Sequence, residues 1–579
     1  MTINAVDKSV QLINCYDGNL YSRYPLGDLS GLGLHVIASG WDQSVSNSGT
    51  ITGPAPFGIM FNATNTISGA KNSFNEVGYH WDFGYSATAV AGSFRYGNNT
   101  NKANYLGGPV VGHVFKTPGT FNVTVRADDG SHTADRTITV IVQDPNTVYS
   151  GAATILYSTD GSDDQVTYPG AIPRTWSTTM TAAVNTRYLF KRGQTFGSSI
   201  VIPVVNNFSS ATATPVSGVL IGDWGSATDA PVFSSGQNGV NIAAGLSSSA
   251  GNLYPGFPYN ISVKNLKAQV QCTYFASDIT VVDCDMRGKY MTNFGSSADD
   301  VFGSLHDGGT GLQNQIWRNP KNIFIQDNDV SGTANSTAQT LFIYGHNIHF
   351  AGNYIGEGKE HGIRVKGAYV ANFRNNYVTG WNDPTFTGKH NITIRAQQIS
   401  GAAPDTSTTV AITQTGTWYP TRTMRGDTEN NGNISTRFVL VDNNVLGATD
   451  WSGDNWYAGG PEYFNGLVVF NIQDVIYQRN KIYPGSNAIA NNRVPLHSWG
   501  GIRNVFRNND YYSLSASSTR SNPRVAIRTS SAGSDNPGQT SATYIPVYLN
   551  TSTDGTSTDL VTDKVIEAPT LITPRKAGS

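Results

Sequence analysis

The feature that most narrows what this chain can fold into is a short unit that recurs through its second half. Asn322-Ile-Phe-Ile-Gln-Asp-Asn328 is echoed by Asn347-Ile-His-Phe-Ala-Gly-Asn353 and Val370-Ala-Asn-Phe-Arg-Asn-Asn376. Further copies are Phe438-Val-Leu-Val-Asp-Asn-Asn444, Asp474-Val-Ile-Tyr-Gln-Arg-Asn480 and Arg503-Asn-Val-Phe-Arg-Asn-Asn509. An earlier copy, Asp278-Ile-Thr-Val-Val-Asp-Cys284, ends in Cys. The final residues lie 353−328 = 25, 376−353 = 23, 480−444 = 36 and 509−480 = 29 positions apart. A period of that order, with one short strand per unit, is the mark of a solenoid whose coils stack. Alternation and β-branched content make the repeated element a strand rather than a helix. An Asn at a fixed place suits a bend with positive φ, and stacking lets such side chains bond into a ladder. The longer gaps are read as loops pushed out of the coil, notably Trp381 to His390 and Gln397 to Thr436.

Composition agrees with an all-β chain and excludes several functions. Lys+Arg (38) nearly balances Asp+Glu (40), and charged residues are only 13 %. Nucleic-acid binding needs concentrated positive charge, so it is not expected. Aromatics at 11 % and 62 Gly imply packed surfaces and many tight turns. The three cysteines, Cys15, Cys272 and Cys284, are too few for a disulfide framework. Cys272 and Cys284 read as buried small side chains, with a pairing between neighbouring turns as the alternative. The first residues lack a basic stretch followed by an apolar run, so no Sec signal peptide is read there. No window approaches the ~20 apolar residues of a membrane span, and membrane insertion is not expected.

Four segments follow: an arm over 1–34, a β-sandwich over 35–146, the solenoid over 150–545, and a tail or cap over 546–579. The sandwich is read from short alternating strands separated by Gly, Pro and Asn. It contains Tyr79-His-Trp-Asp-Phe-Gly84, then His113-Val-Phe-Lys-Thr-Pro-Gly-Thr-Phe-Asn-Val-Thr-Val125 and Ala127-Asp-Asp-Gly130. Trp81 and Phe83 alternate with Asp82, so the rings face a core while Asp82 caps a turn. Pro118-Gly119 turns the chain so that Phe121, Val123 and Val125 point back inward. These stretches resemble the polycystic-kidney-disease (PKD) type of immunoglobulin-like domain, which implies a spacer or adhesion module.

Ahead of the repeats come Ile155 to Asp163, Arg187 to Phe196, Gly218 to Gly225 and Pro231 to Phe233. Their order resembles the opening coils of right-handed parallel β-helix proteins, the group of pectate lyases, alginate and chondroitin lyases and phage tailspikes. The resemblance implies a cell-surface or extracellular polysaccharide as partner. The leading expectation is a glycan-binding adhesion protein, a phage tail-spike or tail-fibre component, located extracellularly or in the virion. A polysaccharide lyase acting on a uronate polymer is the second expectation, and a structural surface-fibre subunit the third. The tailspike likeness also implies a homotrimer or virion assembly.

The densest charged cluster is Glu357, Lys359, Glu360, His361, Arg364 and Lys366, with Arg395 in the next strand-like segment. By alternation Ile363 and Val365 point inward and Arg364 and Lys366 outward, as does Arg395 in Asn391-Ile-Thr-Ile-Arg395. Two basic groups one coil apart suit a uronate carboxylate and abstraction of its C5 proton. Here the chain is similar to alginate and chondroitin B lyases, which implies Lys366 as base, Arg395 as acid and Asn376 as the intervening Asn. Ala396-Gln397 stands where that family has a His and a Gly. Arg364 and His361 complete the catalytic candidates, and Glu357, Glu360, Asn376, Trp456 and Tyr457 the substrate-binding ones. The bland alternative is a solvated strand whose Arg364 and Lys366 pair with Glu357 and Glu360. His306-Asp307 and Asp454 to Tyr463, with Trp451 and Trp456, are further candidates. No cofactor is expected apart from calcium at Asp160, Asp163 and Asp164, whose carboxylates suit a hard cation, with a simple turn as the alternative.

Overall fold

The computed structural model describes residues 31–69, 71–85, 104–205, 214–234, 239–244, 256–272, 276–286, 292–294, 321–331, 341–356, 362–378, 392–395, 397–398, 433–434, 436–446, 460–462, 472–482, 496–499, 501–502, 505–512, 527–530 and 560–566. Nearly all of the regular structure is strand. No helix among these residues is long and apolar enough to cross a membrane.

The first module is a sandwich of two sheets. One orders Thr50–Pro54, Thr133–Gln143, Gly119–Asp128, Gly78–Asp82 and Asn104–Gly107 side by side; the other orders Gln43–Ser46, Ile37–Gly40, Phe57–Asn62 and Val110–Phe115. Trp81 and Phe83 are wholly buried, and Phe121, Val123 and Val125 turn inward with them, as their alternation predicts. The Asp82 carboxylate accepts the Gly84 N–H at 2.9 Å and so caps the turn that ends its strand. Phe61 packs against Trp81, and His113 stacks on Phe83 with centroids 4.3 Å apart.

From Thr154 onward the chain coils into a parallel β-helix, its strands joined in one 26-stranded sheet that winds around the coils. Each repeat forms a rung. Ile323, Ile348, Ala371, Val439 and Val475 fall in one row, and Ile325, Phe350, Phe373, Val441 and Tyr477 in another. Both rows are buried in a single interior. The final Asn of each repeat forms the expected ladder. Oδ1 of Asn328 accepts the Cys284 N–H, and Oδ1 of Asn353, Asn376, Asn444, Asn480 and Asn509 accepts the N–H of the Asn one coil earlier, all at 2.9–3.0 Å. Each Nδ2 also donates to a main-chain carbonyl, as from Asn376 to Phe350 at 3.0 Å. The bend itself lies one residue earlier than expected. Positive φ belongs to Asp327, Gly352, Asn375, Asn443, Arg479 and Asn508, and the final Asn lies just past the bend. Cys272 and Cys284 are unbridged and buried in the interior. Gln397–Gln398 pairs antiparallel with Asn433–Ile434, so the insertion after Arg395 leaves the coil on a two-stranded stem. Leu560–Ile566 pairs parallel with Val505–Tyr512 and so adds a strand to the sheet.

The two modules share one core. Val282, Phe324, Leu440, Ile476 and Val505 stand on the outside of the solenoid yet are buried among the sandwich side chains. The sandwich meets them with main chain: a Cβ on Gly58 would lie 2.3 Å from the Phe324 ring, and one on Gly112 2.2 Å from His349. Phe57–Asn62 and Val110–Phe115 are therefore covered on both faces, and every residue in them but Asn62 is buried. Polar seams border the contact. Lys116 reaches Asp283 at 2.6 Å and Asp327 at 2.8 Å, the Tyr105 hydroxyl donates to Asp442 at 2.5 Å, and Arg507 donates to the Asn75 carbonyl at 2.7 Å. Arg374 lies under the Tyr105 ring, 4.6 Å from its centroid. Burial pulls the Arg374 guanidinium down to about 10, against the pull of Tyr105 and Asp442.

Candidate functional site

A second sheet of the solenoid meets the covered one at a corner. Ile363–Arg374 runs unbroken through that corner: its first half pairs with Ile392–Arg395, and its second half with Thr436–Asp442 beneath the sandwich. Ile363, Val365, Ile392 and Ile394 fill the interior. The positions alternating with them form two rows across neighbouring coils. One pairs Phe342 with Arg364, Arg364 with Thr393 and Thr393 with Gly460. The other pairs Lys366 with Arg395 and Arg395 with Glu462. Adjacent rungs lie ~4.8 Å apart, so Lys366, Arg395 and Glu462 occupy about 10 Å of sheet.

Upstream the first row continues through Val201, Asn241 and Gln271, and Asn293 pairs with Phe342. Asn241 and Gln271 are half-exposed, and the Gln271 amide donates to the Asn241 carbonyl oxygen. The sheet thus carries amides at its upstream end and charged residues downstream. Such a strip offers donors and acceptors to hydroxyls and cations to carboxylates. Glu462 falls in the candidate segment Asp454 to Tyr463, but its place in this row was not readable, because the insertion after Arg395 hides where the chain returns to the coil. The run Gly239-Val-Asn-Ile242, apolar on alternate positions, is the signal that would have pointed to Asn241.

Register brings Lys366, Arg395 and Arg364 together, but it gives Asn376 another role. Asn376 is wholly buried, and its amide bonds Phe350, Asn353 and Asn444 within the ladder, so it is not presented to a ligand. Two of the three acidic residues read as calcium ligands, Asp160 and Asp164, are engaged within their own turns. Asp160 accepts bonds from Ser162 and from Lys191 at 2.9 Å, which hold its carboxyl well below the usual carboxylate range. Asp164 accepts the Thr167 N–H at 3.0 Å and so closes a turn. An ammonium already neutralises Asp160, and among the described residues no three His, Cys, Asp or Glu are grouped to hold a metal ion, Asp163 included. His361, Glu357, Glu360, Trp456 and Tyr457 lie outside the described residues, as do Cys15, His306, Asp307, Trp451 and Asp454.

Residues 58–142 match the family model of the PKD domain, in agreement with the resemblance carried by Trp81-Asp-Phe-Gly84 and Pro118-Gly119. No curated protein sequence matches the chain. Among solved structures the chain is similar to a family 28 exopolygalacturonase of Yersinia enterocolitica, at 11 % sequence identity and a TM-score of 0.29, with 89 % of this chain and 83 % of that chain covered.

Proposed function

We propose that this chain is an extracellular glycan-binding protein, of the tail-spike or tail-fibre kind with which a virion holds a host surface. In this reading an acidic polysaccharide lies along the open sheet, across its coils. The observation that carries it is the register of Lys366 beside Arg395 and Arg364 beside Thr393, on a sheet the sandwich leaves uncovered. Amides at Asn241 and Gln271 meet sugar hydroxyls, and the basic positions meet uronate carboxylates. Glu357, Glu360 and His361 precede this sheet's Ile363–Arg374 strand in the chain, and Trp456 and Tyr457 precede Gly460–Glu462. These residues are proposed to join in binding the polysaccharide, Trp456 and Tyr457 by stacking on sugar rings.

The pairing of Lys366 with Arg395 favours a second reading, β-elimination. Lys366 would take the C5 proton of the uronate, the C4–O bond would break as the C4–C5 double bond forms, and Arg395 would protonate the departing oxygen. One set of solutions tests both readings. Affinity is measured on a panel of acidic polysaccharides while ultraviolet absorbance follows any unsaturated uronate. Binding without new absorbance, weakened about tenfold or more in Lys366→Ala and Arg395→Ala, is the expected result. Absorbance that disappears in both variants would establish the lyase. An absence of both binding and cleavage would reject both and leave a structural surface-fibre subunit. A native mass measurement tests the accompanying expectation of a homotrimer.

A further inference from the structure

A second ladder runs along the corner where the solenoid enters its covered sheet, and one of its members is an acid. Asn260, Asp278, Asn322 and Asn347 each sit at a φ of 55–58°, a conformation that Asn and Asp tolerate best among non-glycine residues. Flanking pairs place Asn260 beside Asp278 and Asp278 beside Asn322 on consecutive coils. Nδ2 of Asn347 donates to Oδ1 of Asn322 at 2.7 Å, and Nδ2 of Asn322 donates to Oδ1 of Asp278 at 2.7 Å. To continue one coil further, Asp278 must supply the donor and Asn260 the acceptor. Asp278 Oδ2 and Asn260 Oδ1 are both buried without a hydrogen-bond partner. A carboxylate has no proton to donate, whereas a carboxylic acid has one.

We propose that Asp278 stands in this ladder as a neutral carboxylic acid, its Oδ2–H replacing the asparagine Nδ2–H toward Asn260, and that its ionisation loosens the seam between solenoid and sandwich. The group is 2 % exposed. Two charged residues face it: Lys321, from the strand of the next coil, and Asp42, from the sandwich hairpin between Ile37–Gly40 and Gln43–Ser46. Lys321 and Asp42 pair with each other at 3.8 Å. Burial is the largest influence on Asp278 and raises its carboxyl to about 6, against Lys321, Asn322 and the Asp42 main chain, which lower it. Once ionised, Asp278 loses its donor and competes with Asp42 for one lysine, so the sandwich hairpin above it is held less firmly.

The sign of the effect follows from linkage. A carboxyl raised from its ordinary 3.8 to about 6 gives stability that is complete below 3.8 and lost as pH rises through about 6. Asp278→Asn installs the amide used elsewhere in the ladder. Made in the full chain, it should show a melting-temperature gap over wild type that widens from about pH 4 to about pH 7 and then levels off. Amide protection in the Ile37–Ser46 hairpin, relative to the intrinsic exchange rate at each pH, should fall over the same step in wild type and stay level in the variant. The infrared carbonyl band of a buried carboxylic acid should be present in wild type at about pH 5 and fade as pH rises through about 6. A gap independent of pH, or a wild-type spectrum lacking that band at about pH 5, overturns the proposal. If the variant fails to fold, the wild-type infrared titration and exchange profile decide the matter alone.

Discussion

The covered and open sheets of the solenoid share one interior and differ only outside. Their inward rows are the same mixture of Ile, Val and aromatics. On the covered sheet the outward positions are Val282, Phe324, Leu440, Ile476 and Val505, matched by glycines on the sandwich. On the open sheet the alternating positions are Asn241, Gln271, Arg364, Lys366 and Arg395. The interior sets the fold, and the outward rows assign each sheet its work. The PKD-type module is accordingly a third layer of the molecule rather than a spacer on a tether.

If this division is right, damage to the covered sheet should cost stability and damage to the open sheet should not. The largest expected effect is at Gly112, where any side chain meets the Cβ and Cγ of His349 at 2.2 Å. Gly112→Leu should cost about 3 kcal/mol or more, measured by denaturant midpoint, and should expose the apolar row to a hydrophobic dye. A wild-type midpoint would mean that the sandwich is not held there. Asn376→Ala comes next. It strips the ladder bonds to Asn353 and to the Phe350 carbonyl in a site with no water access, a loss of about 3 kcal/mol. A loss of binding with unchanged stability would instead restore Asn376 to the ligand site.

Much of this architecture was legible in the repeats. Asn328 to Asn509 announced both rung and ladder, because only stacked coils give a buried Asn at such intervals two partners. The bend was misplaced by one residue because Asn, Asp and Arg at the preceding position share no sequence signature, only a φ. Docking of the sandwich was legible in principle but was not read. Ile323-Phe-Ile325, Val439-Leu-Val441 and Val475-Ile-Tyr477 are apolar at three consecutive positions, one more than a strand with a wet face needs. Phe57-Gly-Ile-Met-Phe61 carries the same sign on the partner. The row that Glu462 occupies was not legible, since it depends on which residue returns to the coil after a long insertion.

Acid should separate the two sheets as well. His346, buried at the corner of the covered sheet, has its imidazole lowered from 6.5 to about 3, first by burial and then by Lys321. Its unfolded form takes up a proton below 6.5 while the folded form stays neutral, so stability falls as pH drops from 6.5 toward about 3. Between pH 6.5 and about 5 this amounts to about 2 kcal/mol. His346→Gln should flatten that part of the pH–stability curve; an unchanged slope would place the acid sensitivity elsewhere.

The smallest stability effect belongs to the open sheet, and it is the sharpest test of the contrast. Lys366 and Arg395 alternate along their strands with the wholly buried Val365 and Ile394. Lys366→Ala and Arg395→Ala should each leave the denaturant midpoint within about 0.5 kcal/mol of wild type. Should either variant lose as much stability as Asn376→Ala, the residue is part of a structural seam like that of Lys116 with Asp283 and Asp327. The polysaccharide would then have to be sought on another face. If stability holds while polysaccharide affinity falls, one solenoid is using identical inward rows to support two outward surfaces, one built to be covered and the other left for a ligand.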